Sequence, residues 1–334
     1  MKKRILIITT GGTLASTIGK EGLEPQLNSK DILSKIEGIT IHFEVEFFEL
    51  FSMDSSNIQP EEWSLLAETI FKKHNQYDGI VIIHGTDTMA YTSSILSYML
   101  VNIPIPVVLT GSQLSIANPL ADAVENLRSA IHMAGSGVAG VFVAFNRKII
   151  LGCRASKLRT VSFDAFESIN RENVAVINSN GLEFTNSNIN FTDKEAQCTM
   201  RNHVTDKVFL LKLIPGTHPD IFDMIYKMGY KGIYIETFGI GCLPFLKRDL
   251  TEKIRESIEN GLTVLVGTQC LYGGSDLEIY QTGQKILNSG VISAGDMTSE
   301  AAVTKLMWVL GQTDNKEEIS EYFKTNMAGE ITIA

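Results

Sequence analysis

The chain has little that could tie it together covalently or through a metal. It has four cysteines in 334 residues, Cys153, Cys198, Cys242 and Cys270, with no CxxC spacing and no histidine pairing. That scatter argues against a disulfide framework or a zinc site and fits reduced, structural thiols. A surplus of positive charge is also missing. With 29 Lys and Arg against 38 Asp and Glu, the formal charge of −9 speaks against a nucleic-acid partner, whose phosphates need a basic footprint. No apolar run approaches the roughly 20 residues of a membrane span, so no membrane partner is expected. Lys2, Lys3 and Arg4 precede only the short run Ile5–Ile8, which Thr9–Gly12 breaks without a cleavage pattern. A signal segment is therefore not expected, and the expected compartment is the cytoplasm. Low-complexity tracts and short solenoid-type repeats are absent too.

What remains is an ordinary globular composition, 44% hydrophobic and 20% charged, with enough material for a sizeable core. The length suits two domains or one large α/β unit. Short, fully apolar runs recur and end in small polar residues: Ile5–Ile8 in TTGGT, Ile80–Ile83 in HGTDT, Val107–Leu109 in TGSQ. Val138–Ala144, Val208–Leu213, Ile233–Ile235 and Val264–Val266 are further runs of this kind. Strands that are apolar on both faces belong in a parallel sheet covered by helices. Helices are expected between them at Pro60–His74, Ser93–Val101, Pro119–Ala134, Thr251–Asn260 and Ser299–Leu310. Pro60 suits a first helical turn, and Gly261 suits the position just past a helix end. The fold class is α/β, doubly wound.

A polar, Asn-rich stretch, EFTNSNINFTDKEAQ, lies within Gly181–Asp206 and breaks the rhythm. It divides the chain into an expected N-terminal domain (1–185), a linker (186–206) and a smaller C-terminal domain (207–334).

In open parallel sheets, ligands bind beyond the carboxyl ends of the strands. Thr9–Thr13, His84–Thr88 and Thr110–Gln113 should reach that edge, each mixing glycine with hydroxyls. Glycine lets a ligand approach the backbone, whose N–H groups can hold an anion or a developing oxyanion. A phosphate cradle is the competing reading, but TGGTLAS matches neither GxGxxG nor GxxxxGK[ST]. A hydrolase lacking metal and cysteine needs a hydroxyl nucleophile, a group to draw off its proton, and oxyanion donors. Thr13 and Thr86 are candidate nucleophiles, and Asp87 supplies a carboxylate at the same edge. The alternative is that these threonines only cap helices or strand ends. A desolvated lysine could act as base, yet nothing in the chemistry singles out Lys157 among the lysines present. His84 reads as a structural hydrogen-bonder, Glu61 and Glu62 as helix N-terminal charge, and Lys247–Arg248 as surface. Asp54–Ser55–Ser56–Asn57 either caps the helix near Pro60 or presents a carboxylate and a hydroxyl to a ligand.

Taken in order, TTGGTLAS, MDSSNIQPEEW, DGIVIIHGTDTMAYTSS, VVLTGSQ, RASKLRTVSFDAFES and GDMTSEAAVTKLMWVL resemble bacterial L-asparaginases, specifically the cytoplasmic type I group. The match runs over essentially the whole chain, and HGTDTMAYT is long enough to be specific. The resemblance implies a flavodoxin-like, doubly wound parallel-sheet N-terminal domain with a second, smaller α/β C-terminal domain. It implies hydrolysis of L-asparagine through a threonine acyl-enzyme, no metal or organic cofactor, and a homodimer or homotetramer. By resemblance, Thr13 is the nucleophile and Thr86, Asp87 and Lys157 are its supporting triad. Asp54 and Ser55, joined by Asp87, clamp the substrate's α-amino and α-carboxylate groups. The backbone around Thr86 and Ser112 forms the oxyanion hole. A mixed glutaminase-asparaginase stays open as an alternative. A component of a tRNA-dependent amidotransferase is disfavoured by the lack of an extra N-terminal module and a basic face. An amino-acid-binding sensor would not need the threonines.

Two departures stand out. Where relatives carry a lid tyrosine, this chain has Leu23, and Tyr280 is the expected substitute at the substrate. Where some type I relatives carry an effector-site arginine, it has Glu236, which cannot hold a carboxylate in the same way.

Overall fold

The computed structural model describes residues 2–19, 22–25, 32, 34–36, 38–185, 197–279 and 281–332. The chain divides into two compact units, Met1–Asn202 and His203–Ala334.

The first unit is built on an eight-stranded sheet. Its parallel half comprises β1 (Lys3–Gly11), β4 (Phe43–Met53), β5 (Gly79–Ile83), β7 (Pro106–Thr110) and β8 (Gly140–Phe145). They lie in the order β4-β1-β5-β7-β8, all parallel. The chain thus starts in the middle, steps outward to β4, and returns past β1 to build the other side, as in flavodoxin-like sheets. Antiparallel strands β9 (Lys148–Leu151), β12 (Ala175–Asn178) and β13 (Gly181–Phe184) extend the far edge. Two small hairpins stand apart: β2 (Ser16–Gly19) with β3 (Gly22–Pro25), and β10 (Ala155–Lys157) with β11 (Phe166–Ser168). A further pair joins β6 (Leu100–Val101) to β14 (Thr199–Met200), within the stretch expected as linker.

Every residue of β5 and β7 is buried, so both faces are covered, as their uninterrupted apolar runs require. The principal helices are α2 (Pro60–Lys73), α3 (Met89–Met99) and α4 (Ala123–Ala134), following a single turn, α1 (Ile39–His42). Pro60 occupies the first turn of α2, and Gln59 and Glu62 form a capping box there. Two helix starts differ from expectation by four residues. α3 begins at Met89, directly after the loop that ends β5, rather than at Ser93. α4 begins at Ala123 rather than Pro119, because the Asp122 carboxylate accepts from Gln113 and Leu114 N–H and ties that corner to the preceding loop.

The second unit carries a four-stranded parallel sheet in sequential order: β15 (Val208–Lys212), β16 (Gly232–Thr237), β17 (Thr263–Thr268) and β18 (Ile292–Ser293). Helices α5 (Ile221–Lys227), α6 (Leu250–Glu259), α7 (Gln281–Leu287), α8 (Ser299–Gln312) and α9 (Lys316–Lys324) accompany it. Phe222, Ile233, Ile235, Val264 and Val266 are among its buried core. Gly261 follows α6 at φ 96°, the left-handed position expected of a glycine past a helix end. The helices α5, α7 and α9 are too short, at seven to nine residues, to show a sustained apolar period in the sequence. Among the described residues no helix is long and apolar enough to cross a membrane.

Candidate active site

Strand order reverses at β1, and the loops leaving β1, β4, β5 and β7 meet beyond the carboxyl ends of those strands. Glycine makes the meeting possible. Gly12 has φ 87°, and a Cβ there would lie 2.6 Å from the Gly85 nitrogen. A Cβ on Gly85 would lie 2.5 Å from the Ser55 hydroxyl oxygen, and one on Gly111 2.4 Å from the His84 carbonyl. These separations are below any tolerable contact, so a larger residue would force the loops apart. Thr13, Ser55, Thr86 and Ser112 are thereby carried on four touching loops.

Hydrogen bonding then sorts the hydroxyls. Thr10 donates to Ile83 O at 2.9 Å and Thr110 to Ala144 O at 2.8 Å, so both serve the sheet. Thr88 donates to Ser55 O at 2.8 Å. Thr86 is different: its Oγ1 accepts from Lys157 Nζ at 2.8 Å, and the same ammonium contacts Asp87 Oδ1 at 2.6 Å. Lys157 is largely buried, 17% exposed, whereas Asp87 is 62% exposed. A lysine shielded along its stem, with its head shared between a hydroxyl and a carboxylate, can polarise that hydroxyl and relay a proton. The lysine arrives on β10, whose partner β11 places Phe166 opposite it.

The remaining expected residues surround this group. Thr13 is half-buried at the start of a short 3-10 turn, Thr13–Ala15. Ser55 is buried, and its Oγ accepts from Asp87 N–H at 3.2 Å. Asp54 is exposed and accepts from Ser56 Oγ at 2.6 Å and Ser56 N at 2.8 Å. Those bonds, the hydroxyl first, hold its carboxyl below the usual range. Asp54 therefore caps its own short turn, Ser55–Asn57, while Gln59 caps the helix at Pro60. Ser112 is buried and donates to Leu114 O at 2.6 Å.

His84 is structural in this arrangement. Its Nδ1 donates to Gly85 O at 2.6 Å, and burial lowers its pKa to about 4, leaving it neutral near pH 7. Leu23 lies in the β2–β3 hairpin opposite Ile18, and Tyr280 lies outside the described residues. Glu236 lies in β16 of the other unit, one residue before its end, buried, accepting from Ser299 Oγ and lying 3.5 Å from Lys212 Nζ. Sequence reasoning missed Asp122, Asn126 and Asp164, buried or half-buried amide and carboxylate groups that bond between loops; no spacing motif marks them.

The family profile described as Asparaginase, N-terminal, matches residues 4–190, and that described as Glutaminase/Asparaginase C-terminal domain matches residues 207–323. The L-asparaginase of Thermococcus kodakarensis is 40% identical over 331 residues, 98% of this chain and 99% of that protein. A component of the glutamyl-tRNA(Gln) amidotransferase of Methanosphaera stadtmanae is 36% identical, over 99% of this chain and 77% of its own length. Among solved structures, the thermostable T. kodakarensis L-asparaginase superposes with a TM-score of 0.92, covering 99% of this chain and 100% of that one. L-asparaginase I of Vibrio cholerae, 29% identical, superposes at 0.88 with full coverage of both chains. By domain content, full-length identity and fold, the chain belongs to the asparaginase family.

Proposed function

We propose that the chain hydrolyses L-asparagine to L-aspartate and ammonia through a threonine acyl-enzyme. The observation that carries this reading is Lys157 held between Thr86 and Asp87 at the switch point of the sheet, beside the loop of Thr13. The Thr13 oxygen bonds to the side-chain amide carbon, the C–N bond breaks, and the amide nitrogen leaves as ammonia with the hydroxyl proton. Water then cleaves the ester, giving aspartate and restoring Thr13. Thr86, Lys157 and Asp87 polarise the reacting hydroxyl and activate that water. Backbone N–H groups near Thr86 and Ser112 stabilise the tetrahedral oxyanion. Asp54 and Ser55, with Asp87, clamp the α-amino and α-carboxylate groups.

Ammonia release from asparagine and glutamine, for wild type and Thr13→Ala, tests the reading. Wild type should prefer asparagine, and Thr13→Ala should be inactive. If neither amide is cut, an amino-acid-binding protein replaces the enzyme. Comparable rates on both amides would make it a glutaminase-asparaginase; a single methylene is worth only ~1–3 kcal/mol in a pocket. Full activity in Thr13→Ala would overturn the mechanism.

The same reading includes a homodimer or homotetramer, to be checked by sedimentation, and a cytoplasmic location. The latter accords with the Campylobacter jejuni structure described as a probable cytoplasmic L-asparaginase, 25% identical at a TM-score of 0.79. Tyr280 is assigned to the substrate in place of the tyrosine missing at Leu23; unchanged turnover in Tyr280→Phe would remove it. With Glu236 in place of an effector-binding arginine, the rate should depend hyperbolically on asparagine, and a sigmoidal curve would count against this.

A further inference from the structure

Asn126 lies on the first turn of α4, 1% exposed, on a helix whose Ala123, Leu127, Ala130 and Ile131 are wholly buried. A carboxamide in such surroundings is unfavourable unless all its bonds are made. Both donor hydrogens and the oxygen are engaged, with three partners. Nδ2 donates to Gly111 O at 2.9 Å and to Asp122 Oδ2 at 2.9 Å. Oδ1 accepts from Asn146 N–H at 2.9 Å.

These partners belong to a ring of bonds that links the loop of Ser112 to the hairpin of Lys157. Gly111 precedes Ser112, and Asp122 also accepts from Gln113 N–H at 3.0 Å. Asn146 and Arg147 make the β8–β9 turn with φ of 47° and 61°, and Asn146 Nδ2 donates to Asp164 Oδ1 at 3.0 Å. Lys148 donates to the same oxygen at 2.6 Å. Asp164 precedes Ala165, whose carbonyl accepts from Leu158 N–H at 2.8 Å, next to Lys157. Gln113 closes the ring by donating to Ser162 O at 2.9 Å and Thr160 O at 3.2 Å.

We propose that Asn126 is a positioning residue for the reaction proposed above, fixing the hairpin that carries Lys157 against the loop that carries Ser112. The proposal rests on that reading of the site. Neither Asn126 nor Asp164 contacts the Thr86–Asp87–Lys157 group in the structure; they act through the two loops. Bonds of 2.8 and 2.6 Å from Lys157 to Thr86 and Asp87 leave little slack, and a displaced hairpin weakens both. A misplacement of about 1 Å by a remote change can lower a rate by roughly 100-fold.

The test uses the full-length chain, with ammonia release from L-asparagine measured at a temperature where circular dichroism shows each variant folded. Asn126→Ala should lower kcat by about 10- to 100-fold with KM within about threefold, and should shift the kcat–pH profile. Leu127→Ala, a buried neighbour on the same helix, should lower Tm while leaving kcat and the pH profile unchanged. Asp164→Asn, at the half-exposed far side of the ring, should reproduce the kcat loss and the pH shift, and it carries the test if the buried variant fails to fold. The double variant should be no worse than about the poorer single one, because both open the same ring. Wild-type kcat and pH profile in folded Asn126→Ala or Asp164→Asn would overturn the proposal, as would full additivity. A wild-type chain that releases no ammonia would remove the function and this inference with it, whereas an active wild type with indifferent variants removes only the ring.

Discussion

The two units present similar raw material at the carboxyl ends of their strands. In the first, TTGGT, HGTDT and TGSQ leave β1, β5 and β7; in the second, ETFG and GTQC leave β16 and β17. Their side chains are used differently. In the second unit Thr237 donates to Gly267 O at 2.6 Å, Thr268 donates to Gly239 O, and Gln269 donates to Leu213 O at 2.7 Å and Glu236 O at 3.0 Å. That edge is bonded to itself. In the first unit Thr10 and Thr110 do the same, but Thr86 and Asp87 meet a lysine from 71 and 70 residues away. Topology separates the cases. The order β4-β1-β5 sends successive crossovers away from each other, the arrangement at which open sheets bind ligands, whereas β15-β16-β17-β18 never reverses. Glycine and hydroxyl residues at a strand end therefore do not by themselves gather a group like Thr86, Asp87 and Lys157; here that group coincides with the reversal of strand order.

The two edges should differ most at the nucleophile. Thr13→Ala should reduce ammonia release by about 1,000-fold or more, while Thr237→Ala in the second unit should change kcat by less than about twofold. Equal effects would erase the distinction between the edges. Lys157→Met should reduce kcat by roughly 100- to 10,000-fold, the range for a lost proton-transfer partner, measured at saturating asparagine.

The edges should also respond to opposite ends of the pH scale. Burial lowers the His84 pKa from 6.5 to about 4. Below pH 6.5 the unfolded chain takes up a proton that the folded chain refuses, so stability falls as pH drops from 6.5 toward 4. The loss totals about 3 kcal/mol, at 1.36 kcal/mol per unit. Denaturant melts across that window should show the slope, and His84→Gln should flatten it. In the second unit the Tyr234 phenol is raised, by burial first and then by the charge of Glu236. Its contribution is complete below pH 10 and is lost above it, so acid should leave that group indifferent. The smallest expected effect sharpens the role of close approach. Gly85→Ala would press a methyl against Ser55 and should lower kcat/KM by about tenfold. Gly239→Ala meets no atom within 4 Å; at φ 52° the added side chain is strained, so Tm should fall while kcat/KM stays unchanged.

Much of the fold is legible in the sequence. Each of the seven apolar runs marks a strand; most are buried on both faces and so must be apolar, whereas β15 is an edge strand with Leu210 exposed. β4 carries no such run: FEVEFFELFSM alternates charge with apolar residues at a half-exposed sheet edge, and β9, β12 and β13 are short antiparallel additions. α3 starts earlier than its pattern suggests because Ser93 and Ser94 resemble a start signal, yet both are buried within the helix, where Ser93 donates to Gly152 O at 2.7 Å.

Fold class, family and the hydroxyl-rich segments can be read from the residues alone, since these depend on local pattern and on long specific motifs. Only the tertiary structure decided which threonines serve the sheet and which meet a lysine, and that Asp54 caps its own turn. It also revealed Asn126 at the centre of a ring joining Gly111, Asp122 and Asn146. Each of those outcomes depends on how segments are brought together, and only strand order and close loop contact bring such partners within hydrogen-bonding distance.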